Sequence, residues 1–385
     1  MPRVMRKNAK EVNSEADSAP MNRGLSAAKA AKQDEFYTQI VDIEREMRHY
    51  RRHFKGKVVY CNCDDPYVSA FFEYFTKNFQ FLGLKKLITT CYRSQQMTLF
   101  SQNDAEEAIK LEYTGDARNN LPTPDDIGVT PLRGDGDFRS AECIAFLKEA
   151  DIVVTNPPFS LFRQYVAQLV EHGKKFLIIG NQNAITYKEI FPLIKDNRIW
   201  LGCPNFNVGM FFDVPDEWER FHHIDEETGK KIAQVSTCWY TNLDHGRRNQ
   251  PLNLMSMAEN LKFSKKLQGK AAYDRYENYD AIEVSTYKEI PSDYDGVMGV
   301  PVTFLHKYDP DQFEIVGNSD DGEMMREIGA RPLGREFIAA YRARGGTGHY
   351  SHGMRMLGLL EPQARVIFKR ILIRHRTKPS KQKKK

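Results

Sequence analysis

Short β-rich runs alternate with amphipathic segments along the first two thirds of this 385-residue chain, and this alternation constrains the possible fold more than any other feature. The strand-like runs are KVVYC, KKLITTCY, DIVVTN, KKFLIIGNQ, RIWLG and STCWYTNL, and segments such as YVSAFFEYFTKNFQFLG, SAECIAFLKEA and LFRQYVAQLVEHG have helical spacing. Strands that alternate with helices of about 10 to 15 residues form a parallel sheet that is covered by helices on both faces. The sequence therefore predicts an α/β fold with a doubly wound, mostly parallel sheet.

Polar residues directly follow three of these predicted strands. CNCDD ends the first run, TTCY ends the second, and TNPPF ends the run DIVVT. In doubly wound sheets, ligands bind at the carboxyl ends of the strands. We therefore expect the functional site at this edge of the sheet.

The stretch Asn156-Pro157-Pro158-Phe159 carries the clearest chemical signal. Prolines lack the N–H that a central strand needs, so the strand must stop here, with the Asn156 side chain and the Pro157 carbonyl held rigidly. Two fixed acceptors can bind the exocyclic amine of an adenine, whose lone pair is otherwise delocalised into the ring, and the prolines supply no competing N–H donors. Phe159 can then stack on a base that has left the duplex. The alternative is a stiff turn whose phenylalanine enters the core.

The composition excludes several classes of protein. No apolar run approaches the roughly 18 residues that a membrane span needs, and the basic N-terminus is not followed by the apolar stretch of a signal peptide. The six cysteines lie mostly in apolar or strand-like runs, which favours reduced, packed thiols over disulfides. His222 and His223 have no cysteine or acidic pair at ligand spacing, so we expect no metal site.

The two ends of the chain differ from its middle. Residues 1–31 are polar and without period, which predicts disorder, and order is expected to begin near residue 32. Residues 365–385 contain ten of the 56 lysines and arginines and no acid, although the net charge of the whole chain is only +5. This basic tail is either a solubilising end or an arm that binds phosphates.

Two internal regions depart from the alternating pattern. Residues 94–135 are rich in turn-forming residues and are predicted to be irregular. After about residue 250 the sequence is mixed, with two expected strands in GVMGVPVTFLHKYDPDQFEIVG and a terminal strand in ARVIFKRILIRHR. The glycine-rich, basic segment RARGGTGHYSHG between them lacks the ending of a P-loop, and it is either a mobile loop that contacts DNA phosphates or an insertion.

These segments together resemble the EcoRI-type adenine-specific DNA methyltransferase family. DIVVTNPPF is similar to the catalytic signature of amino-methyltransferases that use S-adenosylmethionine, and KQDEFYTQIVDIEREM, GKVVYCNCDDP, LGLKKLITTCY, GDGDFRS and MGVPVTFLHKYDPDQFEIVG stand around it in the order of the family. The resemblance covers roughly residues 32–318 and 366–374. It implies a Rossmann-like methyltransferase fold with a disordered tail at 1–31, a catalytic domain at 32–249, a mixed α+β target-recognition region at 250–374 and a basic disordered tail at 375–385.

The resemblance also implies the reaction. The methyl group of S-adenosylmethionine would pass directly to the N6 amine of an adenine that has been flipped out of duplex DNA, without a metal and without a covalent enzyme intermediate. Asn156 and the Pro157 carbonyl would polarise the amine. Pro158 would keep the turn rigid while Phe159 stacks on the base. An RNA or protein-glutamine methyltransferase with the same tetrapeptide, and an inactive DNA-binding homologue, are the alternatives.

Eight residues are implied to hold the cofactor: Phe36, Tyr37 and Thr38 at its methionine end, Asn62, Asp64 and Asp65 at its ammonium and hydroxyl groups, and Asp137 and Phe138 at its adenine. The chain departs from the usual pattern in two places, because no G-x-G follows the first strand and no acid follows the second. Thr90 and Tyr92 are therefore candidates for the ribose contact. The alternative roles are structural: Thr38 or Asp34 would cap a helix, and residues 135–138 would form a turn.

Duplex DNA is the expected partner of this chain. The DNA-reading residues are expected between positions 250 and 360, and the basic tail is expected to add backbone contacts. The resemblance implies a cytoplasmic protein that acts as a monomer, and it leaves open whether a cognate restriction endonuclease accompanies it.

Overall fold

The computed structural model describes residues 37–92, 108–115, 122–204, 206, 208–214, 218, 221–226, 228–350, 353–359, 364–367 and 369–376. Phe36, the predicted disorder of residues 1–31 and nearly all of the basic tail at 375–385 lie outside these described residues. No helix in the described part of the chain is long and apolar enough to cross a membrane.

The secondary structure follows the predicted alternation. The described helices are Ile40–Met47, Ala70–Lys77, Phe79–Leu82, Pro124–Ile127, Ala141–Glu149, Phe162–Glu171, Phe191–Lys195, Met257–Phe263, Gly322–Glu327 and Arg335–Ala343, with 3-10 helices at Arg51–His53, Phe159–Leu161, Gln182–Thr186, Tyr287–Glu289 and Val302–Lys307. The described strands are β1 (Tyr37–Thr38), β2 (Val58–Asn62), β3 (Lys86–Thr90), β4 (Ile109–Tyr113), β5 (Val129–Pro131), β6 (Ile152–Thr155), β7 (Lys175–Asn181), β8 (Trp200–Leu201), β9 (Met210–Val214), β10 (His223–Ile224), β11 (Lys231–Val235), β12 (Thr237–Thr241), β13 (Ala281–Glu283), β14 (Val297–Pro301), β15 (Phe313–Asn318), β16 (Gly358–Leu359), β17 (Arg365–Val366) and β18 (Arg370–His375).

Eight strands form one large sheet in the order β5-β4-β3-β2-β6-β7-β12-β8. The four central strands β3, β2, β6 and β7 are parallel to one another. β4 and β12 run in the opposite direction, so six of the eight strands share one direction. The predicted α/β fold with a mostly parallel sheet is confirmed.

Helices cover both faces of the large sheet. Alternate residues of a strand point to opposite faces, and in β2 they join two separate apolar cores. Tyr60 packs in one core with residues of helix Phe162–Glu171. Its neighbour Val59 packs in the other core, with residues of helices Ile40–Met47 and Ala70–Lys77. This is the doubly wound arrangement that the alternating sequence predicts.

The prediction that residues 94–135 are irregular is wrong where the structure describes them. Strands β4 and β5 extend the large sheet at one edge, and the short helix Pro124–Ile127 lies between them. In β4 the residues of IKLEY alternate between buried and half-buried positions, which is the two-residue period of a strand. A run of five residues between turn-forming segments gives only a weak strand signal in the sequence.

The C-terminal region contains a second sheet with the strand order β13-β14-β18-β15, in which β13 and β14 are parallel and the other pairs are antiparallel. β14, β15 and β18 fall within the segments for which the sequence predicts strands. The buried residues Met298, Phe304 and Ile371 of this region belong to the same apolar core as Tyr60 and Phe191. The C-terminal region is therefore packed directly on one face of the large sheet and its helices.

A buried ion pair joins β13 to β18 in the C-terminal sheet. Nε of Arg370 donates to both carboxylate oxygens of Glu283, over 3.1 and 3.0 Å. Glu283 is 4 % exposed, and the Tyr276 hydroxyl donates to the same carboxylate. On the same strand, Arg374 pairs with Glu314 over 3.0 Å, but these two side chains are 50 % and 43 % exposed. Two arginines of one strand therefore make ion pairs in very different surroundings.

Arg370→Gln is expected to lower the free energy of unfolding by about 3 to 5 kcal/mol, because the substitution leaves the Glu283 carboxylate buried without its charge partner. Arg374→Gln is the matched control, since it removes an exposed ion pair from the same strand and is expected to cost at most about 1 kcal/mol. Urea unfolding followed by circular dichroism measures both values. Equal losses in the two variants would contradict the role assigned to burial.

Candidate active site

The carboxyl ends of β2 and β6 lie side by side at the point where the strand order reverses. β2 pairs with β3 on one side and with β6 on the other. The strand that follows β2 in the chain is therefore added on one side of it, and the later strand β6 is added on the opposite side. Ligands of doubly wound sheets bind at such a switch point. Asn62 ends β2 here, and Asn156 directly follows β6.

Thr155, the last residue of β6, joins these two strand ends. Its side chain is fully buried, and its hydroxyl is hydrogen-bonded to the backbone carbonyl of Asn62 and to Oδ2 of Asp64. The residue before Asn156 is therefore tied to the loop that follows β2. Thr155 is not among the residues predicted from the sequence. The one signal that could have identified it is its position as a polar residue at the end of an apolar strand.

Asp64 lies in the loop after β2 and is 6 % exposed. The Ser69 hydroxyl donates to its Oδ1 over 2.9 Å, while the Ser69 oxygen accepts from N–H groups in the first turn of helix Ala70–Lys77. Burial raises the pKa of Asp64 to about 7, although the hydrogen bonds from Thr155 and Ser69 favour its ionised form. The switch point therefore holds a buried carboxyl group that titrates near neutral pH.

Cys63 directly follows β2 and has a backbone conformation that is unusual for a residue other than glycine. Its φ of 68° lies in the left-handed region that favours glycine. The turn brings Asp65 into a second buried position, where its Oδ1 accepts from the N–H of Tyr67 over 2.9 Å and burial raises its pKa. The missing G-x-G therefore does not prevent the chain from turning sharply after β2.

Tyr165 links two of the predicted cofactor segments. Its hydroxyl donates to Oδ1 of Asn62, and its ring lies edge-on to Phe138 with 5.1 Å between the ring centroids. All three residues are buried. The side-chain oxygen of Asn62 is thus engaged within the protein, and Phe138 is anchored in the core. Tyr165 was not predicted from the sequence, because its helix carries no chemical signature.

The loop at residues 135–139 packs against the carboxyl end of β3. Gly136 has a φ of 79°, and a Cβ atom at this position would collide with the carbonyl of Cys91. The two carboxylate oxygens of Asp137 accept from Nε and Nη2 of Arg139 over 2.9 and 2.6 Å, and this pairing holds the pKa of Asp137 below its usual value. The predicted acceptor for an adenine amine is therefore an ionised, half-buried carboxylate at the edge of the site.

The two candidates for the ribose contact differ in their surroundings. Thr90 is fully buried, and its hydroxyl oxygen lies 2.8 Å from the hydroxyl oxygen of Tyr60. Tyr92 lies two residues after the end of β3 and is exposed. Of the two, Tyr92 is the one with a side chain that reaches solvent at this edge.

Asn156-Pro157-Pro158-Phe159 forms the turn between β6 and a 3-10 helix that begins at Phe159. Pro157 is buried, whereas Asn156, Pro158 and Phe159 are half-buried, and Oδ1 of Asn156 is shielded from solvent. Phe159 packs with part of its ring against one of the two apolar cores. The tetrapeptide is thus a proline-rich turn at the switch point, and three of its four residues keep part of their surface accessible to solvent.

Thr38 lies on an edge strand of a small antiparallel sheet with the order β1-β9-β11-β10, opposite Phe212 of β9. The Thr38 hydroxyl is buried and has no hydrogen-bond partner among the described residues. Helix Ile40–Met47 begins after Gln39 without a side-chain cap, so the alternative role of Thr38 as a helix cap is wrong. Asp34, the other proposed cap, lies outside the described residues.

His222 and His223 are exposed, with their Nδ1 atoms 2.9 Å apart. In the ranges that the structure describes, no group of three or more histidine, cysteine, aspartate or glutamate side chains is placed to hold a metal ion. No disulfide joins the six cysteines.

Asp64→Asn is expected to change how stability depends on pH. The folded protein keeps the Asp64 carboxyl protonated up to about pH 7, while the unfolded chain loses that proton near the usual pKa of 3.8. The folded state therefore loses stability as the pH rises through this window, by roughly 1 kcal/mol per pH unit. The asparagine variant lacks this loss, so its stability relative to the wild type should grow from pH 5 to pH 7.

Urea unfolding at several pH values measures this difference. Asp196→Asn, which removes an exposed carboxylate, serves as the control and should show a constant difference from the wild type. A constant difference for Asp64→Asn as well would contradict the raised pKa.

A family model described as adenine-specific methyltransferase EcoRI matches residues 24–376 of this chain. The type II methyltransferase M.EcoRI of Escherichia coli is 50% identical over 298 residues, which cover 77% of this chain and 89% of that protein. M.MpnI of Mycoplasma pneumoniae is 40% identical over 300 residues, which cover 76% of this chain and 84% of that protein.

M.MgeORF184P of Mycoplasma genitalium, also a type II methyltransferase, is 39% identical over 299 residues, which cover 76% of this chain and 85% of that protein. No solved structure matches the chain. Because the family model covers most of the chain and one relative is identical at half of the aligned positions, this protein belongs to the EcoRI family of adenine-specific methyltransferases.

Proposed function

We propose that this protein transfers the methyl group of S-adenosylmethionine to the N6 amine of an adenine that is flipped out of duplex DNA. Membership of an adenine-specific methyltransferase family supports the class of reaction. The observation that carries the proposal is the position of Asn156-Pro157-Pro158-Phe159 at the switch point of the large sheet, where Thr155 ties it to the loop after β2.

Two acceptors act on the amine of the adenine. Oδ1 of Asn156 and the carbonyl oxygen of Pro157 accept hydrogen bonds from the two N–H groups of this amine. These hydrogen bonds make the nitrogen lone pair less delocalised into the ring. Neither Pro157 nor Pro158 offers an N–H that competes for these acceptors. Since the prolines fix the backbone, the acceptors are oriented before the base arrives, and the reaction does not have to order them.

Phe159 holds the base beside these acceptors. Its ring is half-buried at the start of the 3-10 helix, so the rest of its surface can stack on a flipped nucleobase. Base flipping costs a few kcal/mol, which contacts with the DNA backbone must offset. Catalysis at this site therefore depends on DNA-binding residues outside the tetrapeptide.

S-adenosylmethionine, when bound, supplies an electrophilic methyl group on its sulfonium sulfur. The residues fit such a molecule, because Thr38 offers a buried hydroxyl without a partner among the described residues and the loop after β2 offers two buried carboxyls. We assign the Thr38 hydroxyl to the methionine end, and the family resemblance assigns Phe36 and Tyr37 to the same end. Asp64 and Asp65 accept from the ammonium and hydroxyl groups.

The remaining cofactor residues shape the pocket. Asn62 positions the loop after β2 through its hydrogen bond with Tyr165. Asp137 is kept ionised by Arg139, so its carboxylate acts as an acceptor for the adenine amine. Phe138 is 5 % exposed and packs on Tyr165, and we assign its ring to the floor under that adenine.

The C-terminal region borders the same edge of the large sheet. Thr186 follows β7, and its hydroxyl accepts from Nζ of Lys369 over 3.2 Å. Lys188 pairs with Glu323 over 3.1 Å. We propose that DNA lies across this boundary and that residues 250–374 form the target-recognition region, with the sequence-reading side chains before residue 360.

The segment RARGGTGHYSHG is a candidate for contacts with DNA phosphates. Tyr341, which directly precedes this segment, contacts its described part: the rings of Tyr341 and Tyr350 meet edge-on with 5.2 Å between their centroids, and the N–H of Gly348 donates to the Tyr341 hydroxyl over 3.1 Å. These contacts close the loop and leave Arg342 and Arg344 exposed. Exposed arginines on a closed loop suit the phosphate contacts that fix the register of a protein on DNA.

The relatives support a proposal for the biological setting. M.EcoRI, M.MpnI and M.MgeORF184P are type II methyltransferases of bacteria, which disfavours an RNA or protein acceptor and an inactive homologue. We propose that the protein acts as a monomer in a bacterial cytoplasm, alongside a cognate restriction endonuclease where one is encoded.

Tritiated S-adenosylmethionine, offered together with duplex DNA, tRNA and a protein acceptor, is expected to label the DNA alone, as N6-methyladenine. Nucleoside analysis of the digested DNA identifies the product. Label in the RNA or in the protein would overturn the proposed acceptor, and the absence of label anywhere would overturn the proposed activity.

Asn156→Ala is expected to lower the rate of transfer about 100- to 1,000-fold, the range for loss of one preorganised hydrogen-bonding group. DNA affinity should stay within about twofold of the wild type, since the amine contact forms only after base flipping. Asn183→Ala, which changes an exposed asparagine at the same edge of the sheet, is the control and should keep its activity. A full rate in Asn156→Ala would remove the residue from the mechanism.

Thr155→Val is expected to raise the KM for S-adenosylmethionine and to lower kcat, because it deletes the hydroxyl that ties the cofactor loop to Asn156. The buried acceptors left behind should also cost about 1 to 3 kcal/mol of stability. Thr155→Ser restores the hydroxyl and should recover both kinetic constants. A stability loss without any change in KM or kcat would limit Thr155 to a structural role.

A further inference from the structure

The end of the large sheet opposite the active site carries an exposed group of cations. Arg51, Lys55 and Lys85 precede the amino ends of β2 and β3, and all three are exposed. The exposed ring of Phe81 lies beside them. These four side chains are termed the basic end.

The basic end is one continuous surface. The guanidinium carbon of Arg51 lies 4.9 Å from the centre of the Phe81 ring. Lys55 lies against Gly83, where an added Cβ would be 3.4 Å from its Cγ atom. Backbone hydrogen bonds of 2.7 and 2.9 Å join the two segments that carry Lys55 and Lys85. Residues from the start of β2 and from the start of β3 are thus held side by side.

Among the described residues, the three cations do not hydrogen-bond to the carbonyls at helix ends. Cations are favourable near the C-terminal carbonyls of helices, and Lys174 is an example, because its Nζ donates to the carbonyls of Lys148 and Ala150 over 2.9 and 2.7 Å. Within the described ranges, the three cations of the basic end make no such side-chain hydrogen bond and no ion pair. Their positive charge is therefore directed to solvent.

Neighbouring cations, in contrast, are compensated by the nearby acids. Arg52 pairs with Asp244 over 3.1 Å, and Lys57 pairs with Asp151 over 3.3 Å. Because these carboxylates are already engaged, the basic end keeps its charge uncompensated in the part of the chain that the structure describes.

Phe81 adds an exposed aromatic surface to these cations. Its side chain is 66 % exposed, so most of the ring is available for contact with a partner. An aromatic ring with an arginine over its face suits a nucleic acid, whose sugars offer apolar contact and whose phosphates accept from the guanidinium.

We propose that the basic end binds the sugar-phosphate backbone of a second DNA segment, separate from the duplex at the active site. This inference rests on the proposed function in DNA methylation. Binding of this kind is independent of sequence and strongly dependent on salt. It would keep the protein on long DNA while the active site releases one duplex and engages the next.

The two DNA segments must be distinct because β2 separates the two surfaces. Its five residues span about 15 Å, at roughly 3.3 Å per residue, and its ends lie at opposite edges of the sheet. Duplex DNA has a persistence length of about 150 base pairs, so a duplex of about 20 base pairs at the carboxyl edge does not bend round to the basic end. A second DNA molecule, or a distant part of one long DNA molecule, can reach the basic end without the cost of bending a short duplex.

A capture assay tests the proposal with the full chain. The protein is first bound to an immobilised duplex of about 20 base pairs that it methylates, and a labelled dG·dC duplex, which has no adenine, is then offered. We expect capture by the wild type and at least about tenfold less capture by the variant Arg51→Gln/Lys55→Gln/Lys85→Gln. The slope of log affinity against log salt should fall by about 2 to 3, since each lost phosphate contact removes about 0.9.

The matched control is Arg45→Gln/Lys77→Gln/Lys110→Gln, which removes the same charge from three cations that are each paired with a carboxylate. It should capture the second duplex as the wild type does. No capture by the wild type, or the same loss in both triple variants, would refute a phosphate site at the basic end. Equal displacement by polyglutamate at the same charge concentration would refute DNA in favour of an acidic protein.

Methylation of the immobilised duplex is measured in the same experiment and separates the two proposals. All three proteins should methylate it at rates within about twofold of one another, because the basic end is remote from the active site. If none of them methylates any duplex, the proposed function fails, whatever the capture assay shows.

Discussion

The hydroxyl of Thr155 holds the two halves of the site in register, and the rest of the site depends on that contact. It connects the last residue of β6 with Asp64, which lies 91 positions earlier in the chain, and with the carbonyl at the end of β2. Hydrogen bonds between buried groups are costly to leave unmade, so this contact restricts how the two strand ends can move relative to each other. The acceptors of the tetrapeptide and the buried carboxyls of the loop are thus presented as one rigid surface.

A raised pKa does not by itself identify a functional carboxyl in this protein. Burial raises the pKa of Glu46 to about 7, as it does for Asp64. Glu46, however, is fully buried and accepts from the Tyr50 hydroxyl over 2.6 Å and from the N–H of Cys203 over 2.9 Å. Cys203 lies just after β8, three strands away from β6 in the large sheet. The role of Glu46 is to join a helix to a loop in the core. Asp64 differs by position, since it lies at the switch point beside the tetrapeptide, where a perturbed carboxyl is a candidate for a functional role.

Local sequence patterns were sufficient to predict the central strands and the position of the tetrapeptide directly after one of them, at the carboxyl edge of the sheet. They were insufficient for Thr155 and Tyr165, because the partners of these side chains are 91 to 103 positions away and leave no trace in the neighbouring residues. The left-handed turn at Cys63 was missed for a related reason, since a non-glycine residue in that conformation is held there by its surroundings. Strand β4 was missed because five residues carry too little periodicity to stand out.

The apolar core that joins the C-terminal sheet to the large sheet limits how the C-terminal region can change. Met298 and Ile371 share that core with Phe191, so a C-terminal region taken from a relative would arrive with a mismatched inner surface unless the facing helix changed with it. Voids and overpacking in such a core both destabilise the fold. Exchange of whole C-terminal regions between relatives is therefore disfavoured. Loops outside the core, such as the loop closed by Tyr341 and Tyr350, can accept substitutions without that loss of stability.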